Sequence, residues 1–178
     1  AVFPPPGLKC DDAYFARTVP LDQRRGRIYV GYLAPMLNRQ KCLAPLAAAL
    51  LLAPHVLFPD QQDRDLLDAW WTQVVYHGSL KSVGNSHTAF ASDVRDFMRL
   101  LSGTTDAQAQ ENEKTKKRER STPSIAQLTS LQIAAQNSDI FARLSKTREE
   151  DGCLDAVLAT NMISVGLDVA RLALMIIN

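Results

Sequence analysis

Four short apolar runs, separated by segments of helical character, constrain the fold of this chain more than any other feature of its sequence. Each run is bounded by polar or turn-forming residues, which is typical of buried strands. The runs are TQVVYHG, IAQLTS, CLDAVLAT and RLALMII. Strands that alternate with helices predict a mostly parallel sheet with right-handed crossovers and helices on both faces. We therefore predict an α/β fold with three layers.

The N-terminal part of the chain extends this pattern. Residues 1–26 are Pro-rich and charged without a sustained period, and they predict an extended segment that leads into the domain. RIYVGYL, at 27–33, predicts a first strand. The Ala- and Leu-rich stretch of about 37–52 predicts a helix that Pro45 kinks or splits. The predicted domain therefore covers residues 27–178.

A further predicted helix is followed by a charged linker. The apolar residues of the helix recur at spacings of four, three and four, and thus on one face: Phe90, Val94, Phe97 and Leu101. At about 102–123 the chain loses its apolar residues, which predicts a surface linker or an insertion. The run EKTKKRER within it is either a solvated loop or a local positive field that approaches phosphates.

Composition excludes several classes of protein. The chain has 178 residues, of which 46% are apolar, and can bury a core, while its net charge of +1 requires any basic binding site to be local. Its three cysteines are far apart and predict neither a disulfide framework nor a CxxC metal site, which fits a reducing, cytoplasmic compartment. CLAPLAAALLLAPHVLF contains two prolines and is shorter than the roughly 20 residues of a membrane span. We therefore predict a buried helix and no membrane partner.

Both ends of the sequence predict that the chain is a fragment of a longer protein. AVFPPPGL has no basic n-region and no cleavage-site pattern, so it is not a signal peptide. LALMIIN stops on what is predicted to be a central strand, and domains seldom end on an unfinished core element. We therefore expect the predicted domain to be incomplete.

Common nucleotide-binding and hydrolytic motifs are absent from the sequence. It contains no GxxxxGK[ST], GxGxxG, HExxH or GxSxG pattern. His77, Ser79 and Asp93 could form a hydrolase-like trio, but nothing in their spacing requires them to meet. The histidines show no i,i+3 or i,i+4 pairing, so a zinc site is not expected. We predict no catalytic residue and no metal ligand in this chain.

The connection VLATNMISVGLDV, at 157–169, places hydroxyls, a glycine and a carboxylate just past a strand. The C-terminal ends of parallel strands are where open sheets bind ligands. The hydroxyl of Thr160 can hydrogen-bond a phosphate, and Gly166 lets the backbone approach a ligand closely. The carboxylate of Asp168 can accept a hydrogen bond from a ribose hydroxyl. Together these residues predict a loop between a nucleotide and a sugar–phosphate chain.

This connection resembles motif V of superfamily 2 helicases, in which a strand is followed by Ala-Thr, small residues and Gly-x-Asp-Val. QVVYHGSLKSVG resembles the strand and turn of motif IV, and IAQLTS resembles the later strand that precedes a nucleic-acid-contacting turn. Residues Gln73 to Asn178 therefore resemble the first strands of a second RecA-like helicase domain. With FPPPGL and RIYVGYLAP upstream, the sequence is also similar to the helicase subunit of the DISARM bacterial phage-defence systems.

The resemblance implies a role for each matching residue. Gly166 and Asp168 would lie near the ribose of ATP, and Thr160 would contact a nucleic-acid phosphate. Four further residues would line the backbone-binding edge: Ser79, Lys81, Thr129 and Ser130. The implied partners are a DNA or RNA backbone and the first RecA-like domain of the parent helicase. The parent would use ATP and Mg²⁺, whereas this chain alone, without a phosphate loop or motif VI, would bind neither and be inactive.

Some residues depart from the family pattern, and a different class of function stays open. An arginine is common where Val165 stands, an acidic residue is common at Asn161, and an arginine is expected near Leu131. The alternative function is a non-catalytic α/β protein-interaction module. In that case the hydroxyl of Thr160 or Ser164 would cap a helix and the 157–169 connection would bind no ligand.

Overall fold

The computed structural model describes residues 12–13, 16–17, 19–20, 22–23, 26–34, 37–58, 63–103, 122–164, 169 and 171–178. The chain divides into two compact units, Ala1–Pro35 and Met36–Asn178. In the first unit, two-residue strands β1 (Asp12–Ala13) and β2 (Ala16–Arg17) form an antiparallel pair.

The strand predicted at residues 27–33 is not formed, so this prediction is wrong. The stretch has no regular structure, and the side chains of Ile28, Val30 and Leu33 are 88%, 84% and 86% exposed. β-branched and aromatic residues favour a strand only where a neighbouring strand takes the backbone hydrogen bonds and a packed surface covers the side chains. Residues 27–33 have the composition of a strand, but within the described ranges they have neither a neighbouring strand nor a packed surface that covers their side chains.

The second unit contains a four-stranded sheet and its helices. In chain order its elements are α1 (Arg39–Leu57), α2 (Arg64–Ala69), β3 (Gln73–Tyr76), α3 (Leu80–Ala89), a π-helical turn (Phe90–Val94), α4 (Arg95–Ser102), β4 (Ile125–Leu128), α5 (Ala134–Leu144), β5 (Ala156–Ala159), a 3₁₀ turn (Asn161–Ser164) and β6 (Leu174–Ile177). The strand order is β4-β5-β3-β6, and every pairing is parallel.

The sheet lies between two layers of helices. Successive residues of a strand point to opposite faces, and β5 shows this directly. Leu158 packs in the core cluster that includes residues of α1, α3 and α4, whereas Val157 and Ala159 pack with residues of α5 on the other face. The predicted three-layer α/β architecture with a mostly parallel sheet is therefore confirmed, and it is consistent with a RecA-like fold.

Helix α1 extends further than the predicted helix of about 37–52. It continues through Pro45 and Pro54 to Leu57. Among the described residues it is the one helix long and apolar enough to cross a membrane. Its buried residues belong to the unit's interior, and they are Leu43, Ala44, Ala47, Ala48, Leu51 and Pro54. The prediction of a helix that packs into the core is confirmed, and its predicted end was wrong.

The predicted apolar face of the 90–101 helix is correct in its first half and wrong in its second. Phe90 and Val94 are fully buried, but Phe97 and Leu101 are 37% and 55% exposed. Met98 occupies the core position instead, with 1% exposure. The π-helical turn is the cause, because it has more residues per turn than an α-helix and rotates the helix that follows.

Candidate functional site

The C-terminal ends of the four sheet strands lie at one edge of the second unit. Their last residues are paired across the parallel register, in the order Leu128, Ala159, Tyr76 and Ile177. Because β5 lies between β4 and β3, the connection that follows β5 leaves from the middle of this edge. This edge is the usual ligand-binding position in an open parallel sheet.

Backbone hydrogen bonds extend one residue beyond the strands and hold the following residues in a row. The N–H groups donate to carbonyls of the neighbouring strand as follows: His77 to Ala159 at 2.8 Å, Thr160 to Leu128 at 3.3 Å, and Asn178 to Tyr76 at 2.9 Å. The starting points of the connections after β3 and β5 are therefore positioned by the sheet itself.

Ser79 and Lys81 lie at the start of α3, directly after β3. The Oγ of Ser79 caps the helix by accepting a hydrogen bond from the N–H of Ser82 at 3.2 Å. Lys81 is exposed in the first turn, which contains no acidic residue. A helix N-terminus favours anions because its backbone N–H groups and dipole present positive charge. Lys81 adds an exposed positive charge at this position. The hydroxyl of Ser79, by contrast, already accepts the hydrogen bond that caps the helix.

Thr129 and Ser130 follow β4 at the same edge but differ in accessibility. Thr129 is 4% exposed, so its side chain offers little surface to a ligand. Ser130 and Leu131 are exposed in the turn that leads to α5. The nucleic-acid contacts predicted for Thr129 and Ser130 stay predictions, and the exposed Ser130 is the better placed of the two.

Thr160 follows β5 and is half-buried, and the 3₁₀ turn begins directly after it. The first residue of that turn, Asn161, accepts a hydrogen bond at its Oδ1 from the hydroxyl of Tyr76 at 2.6 Å. Gly166 and Asp168, the residues predicted to lie near a ribose, fall outside the described residues. The charged run EKTKKRER also falls outside them.

A buried histidine at this edge takes part in a hydrogen-bond network that the sequence did not predict. His77 is fully buried. Its Nδ1 lies 3.2 Å from Nδ2 of Asn178, whose Oδ1 accepts a hydrogen bond from Nε of Arg39 at 3.0 Å. An amide nitrogen can only donate, so Nδ1 of His77 accepts, and this assigns the neutral tautomer with its proton on Nε2. No sequence signal indicates these partners, because they are more than a hundred positions apart.

The neutral state of His77 predicts a loss of stability in acid. Burial, and secondarily the charge of Arg39, lower the pKa of His77 below its ordinary value of 6.5. At acidic pH the unfolded chain therefore binds more protons than the folded chain. The contribution of neutral His77 to the free energy of unfolding is fully present above pH 6.5 and is lost as the pH falls below 6.5. Between pH 7.5 and 5.5 we expect the titration of His77 to account for a loss of stability on the order of 1 kcal/mol at most.

Urea unfolding at the two pH values tests this prediction. His77→Gln should reduce the pH-dependent loss, because glutamine does not titrate. The matched control is His87→Gln, which changes an exposed histidine and should leave the pH dependence as it is in the wild type. An equal loss in wild type and His77→Gln would contradict the prediction.

The hydrolase-like trio is not assembled. Each member has a hydrogen-bond partner outside the trio. Nδ1 of His77 accepts from Asn178, Oγ of Ser79 accepts from Ser82, and Oδ1 of Asp93 accepts from Ser92. In the part of the chain that the structure describes, no three His, Cys, Asp or Glu side chains come close enough to hold a metal ion.

Arg171 forms a second polar cluster, near the N-terminal ends of the sheet strands. Its guanidinium donates to both carboxylate oxygens of Asp68, at 2.8 and 3.1 Å. The same group donates to the carbonyl of Leu144 and the hydroxyl of Thr72, each at 3.1 Å. Arg171 thereby joins α2, the start of β3, the end of α5 and the connection to β6. RLALMII has the pattern of a strand, and nothing in this pattern indicates that its first residue, Arg171, forms this link.

Sequence comparison relates the chain to one curated protein. It is 33% identical over 176 residues, or 99% of its length, to the DISARM protein DrmA of Bacillus paralicheniformis. The chain spans about 15% of the length of that relative. No protein-family model matches the chain. The similarity therefore extends over almost the whole of this chain but over a small part of the relative.

Proposed function

We propose that this chain supplies motifs IV and V of an ATP-dependent superfamily 2 helicase or translocase that acts in the cytoplasm in a DISARM-related phage-defence system. The observation that carries the proposal is the arrangement of Lys81, Ser130 and Thr160, which follow three neighbouring parallel strands at one sheet edge. The similarity to a DISARM protein over the whole chain supports the biological setting.

In this proposal the sheet edge holds a DNA or RNA strand by its phosphates. Lys81 supplies charge, and the hydroxyls of Ser130 and Thr160 donate hydrogen bonds to phosphate oxygens, with weaker roles for Ser79 and Thr129. Phosphate contacts position a strand without reading its sequence. We therefore expect binding that depends on salt and is indifferent to base sequence.

The nucleotide would bind between this chain and the first RecA-like domain of the parent protein. Gly166 and Asp168 would contact the ribose, and the other domain would supply the phosphate loop and the carboxylate that holds Mg²⁺. ATP binding would close the two domains and hydrolysis would reopen them, so that the protein steps along the strand. The chain by itself is expected not to hydrolyse ATP.

Thr160→Ala is expected to weaken the affinity for a single strand about three- to tenfold, because it removes one hydrogen bond to a phosphate. Fluorescence anisotropy of a labelled single strand, with the protein at its full parent length and at low and moderate salt, measures this loss. Asp168→Ala should instead reduce strand-stimulated ATPase with little change in strand affinity. If the wild type shows neither strand binding nor ATPase, the helicase proposal is wrong.

A non-catalytic interaction module is the second candidate function. Two residues proposed to contact the nucleic acid favour this second candidate. The hydroxyl of Ser79 caps α3, and Thr129 is buried. This candidate predicts no nucleic-acid or nucleotide binding at any salt concentration. The anisotropy and ATPase measurements therefore distinguish the two functions.

A further inference from the structure

We propose that the hydroxyl of Tyr76 is a positioning group that holds Thr160 in the orientation needed to bind a nucleic-acid strand. This inference rests on the proposed function and adds a residue that the motif resemblance does not include. Tyr76 is the last residue of β3, and its hydroxyl donates to Oδ1 of Asn161, the residue that follows Thr160, at 2.6 Å.

Thr160 is held on both sides. Its own N–H donates to the carbonyl of Leu128, at the end of β4, at 3.3 Å. On the other side, the bond between Tyr76 and Asn161 ties the next residue to the end of β3. The start of the β5 connection is thus linked to the two strands that precede Ser130 and Lys81. We therefore expect the two bonds to restrict the movement of Thr160 relative to these residues.

The link is neutral, and this distinguishes it from an ion pair between motifs. Many superfamily 2 helicases carry an acidic residue where Asn161 stands. Here the amide oxygen of Asn161 accepts a hydrogen bond from the phenolic hydroxyl of Tyr76, so neither partner is an acidic or basic side chain. The link adds no charge beside the proposed phosphate contacts, so its strength does not depend on salt as an ion pair would.

Tyr76→Phe removes this bond and nothing else of the side chain. We expect it to weaken strand binding by the full-length protein about three- to tenfold, as measured by anisotropy. Asn161→Ala should have the same effect, and the double variant should be no weaker than either single variant, because both changes break one bond. The matched control is Tyr29→Phe, the same chemical change at an exposed tyrosine of the first unit, which should bind like the wild type.

Two further measurements separate positioning from other roles. If Tyr76 acts through Thr160, then Tyr76→Phe should cause little additional loss in a Thr160→Ala background, whereas a direct contact with the strand would give an additive loss. Tyr76→Phe should leave the salt dependence of binding unchanged, but Lys81→Ala should reduce the slope of log affinity against log salt by about 1.

The outcomes also distinguish this inference from the proposed function. A wild type that binds no strand overturns the proposed function. A wild type that binds, together with a Tyr76→Phe variant of equal affinity, overturns the positioning role alone. A loss of affinity that is matched by a loss of folded protein in urea unfolding, or that adds fully to that of Thr160→Ala, also overturns it.

Discussion

Replacing Arg171 with alanine is expected to lower the free energy of unfolding by about 3–5 kcal/mol. The side chains of Arg171 and Asp68 are 10% and 20% exposed, and their closest atoms are 2.8 Å apart. Removing the guanidinium leaves the negative charge of Asp68 without its ion-pair partner at a largely buried site. It also removes the hydrogen bond that Arg171 donates to the carbonyl of Leu144. Urea or thermal unfolding of the purified chain measures the loss.

Two other arginine variants sharpen this test. Arg64→Ala removes an ion pair with Glu149 in which both side chains are more than half exposed, at 56% and 58%, and it should cost less than about 1 kcal/mol. Arg171→Lys keeps the charge but not the planar fork, so we expect an intermediate loss and a protein that stays folded. Equal effects of Arg171→Ala and Arg64→Ala would show that the Arg171 cluster is not a structural link.

Met98→Ala is expected to destabilise the second unit by about 2–5 kcal/mol, because it leaves a cavity in the core beneath α1. Met98 is 1% exposed and belongs to the same core cluster as Leu51 and Val94. The interior is close-packed and relaxes only partly around a truncated side chain. Urea unfolding measures this loss as a shift of the transition midpoint.

Leu101→Ala is the matched control for the π-helical turn. Periodicity in the sequence assigns Leu101 to the core face, whereas the structure leaves it 55% exposed. We therefore expect Leu101→Ala to cost less than about 1 kcal/mol. If Leu101→Ala were the more damaging of the two variants, the helix would follow the uninterrupted α-helical register and the π-helical turn would be wrong.

The sequence predicted those parts of the fold that depend on local composition and burial. The runs at Gln73–Tyr76, Ile125–Leu128, Ala156–Ala159 and Leu174–Ile177 are strands as expected. In β3 and β5, successive apolar residues are buried on both faces, and this requires a sheet covered on both sides. The alternation of strands with helices then favours parallel pairing, and so it places the residues after each strand at one edge.

The same reasoning failed where structure depends on partners distant in sequence. RIYVGYL has the composition of a strand but no regular structure. The 90–101 helix changes its buried face at a π-helical turn that its residue types do not predict. In the candidate site, the sequence indicated Thr160 through its position after a strand, and the resemblance to helicases implied Lys81. It did not indicate which hydroxyls are already in use, as at Ser79, or buried, as at Thr129.

By itself, therefore, the sequence determined the class of fold and predicted which end of the sheet holds the candidate site, because strand burial and alternation are local patterns. The tertiary structure alone decided the pairings that position this edge and the core. Tyr76 is hydrogen-bonded to Asn161, which is 85 residues away in sequence, and Arg171 is hydrogen-bonded to Asp68, which is 103 residues away. Such contacts depend on strand order and on which distant segments pair, and these are decided when the sheet assembles.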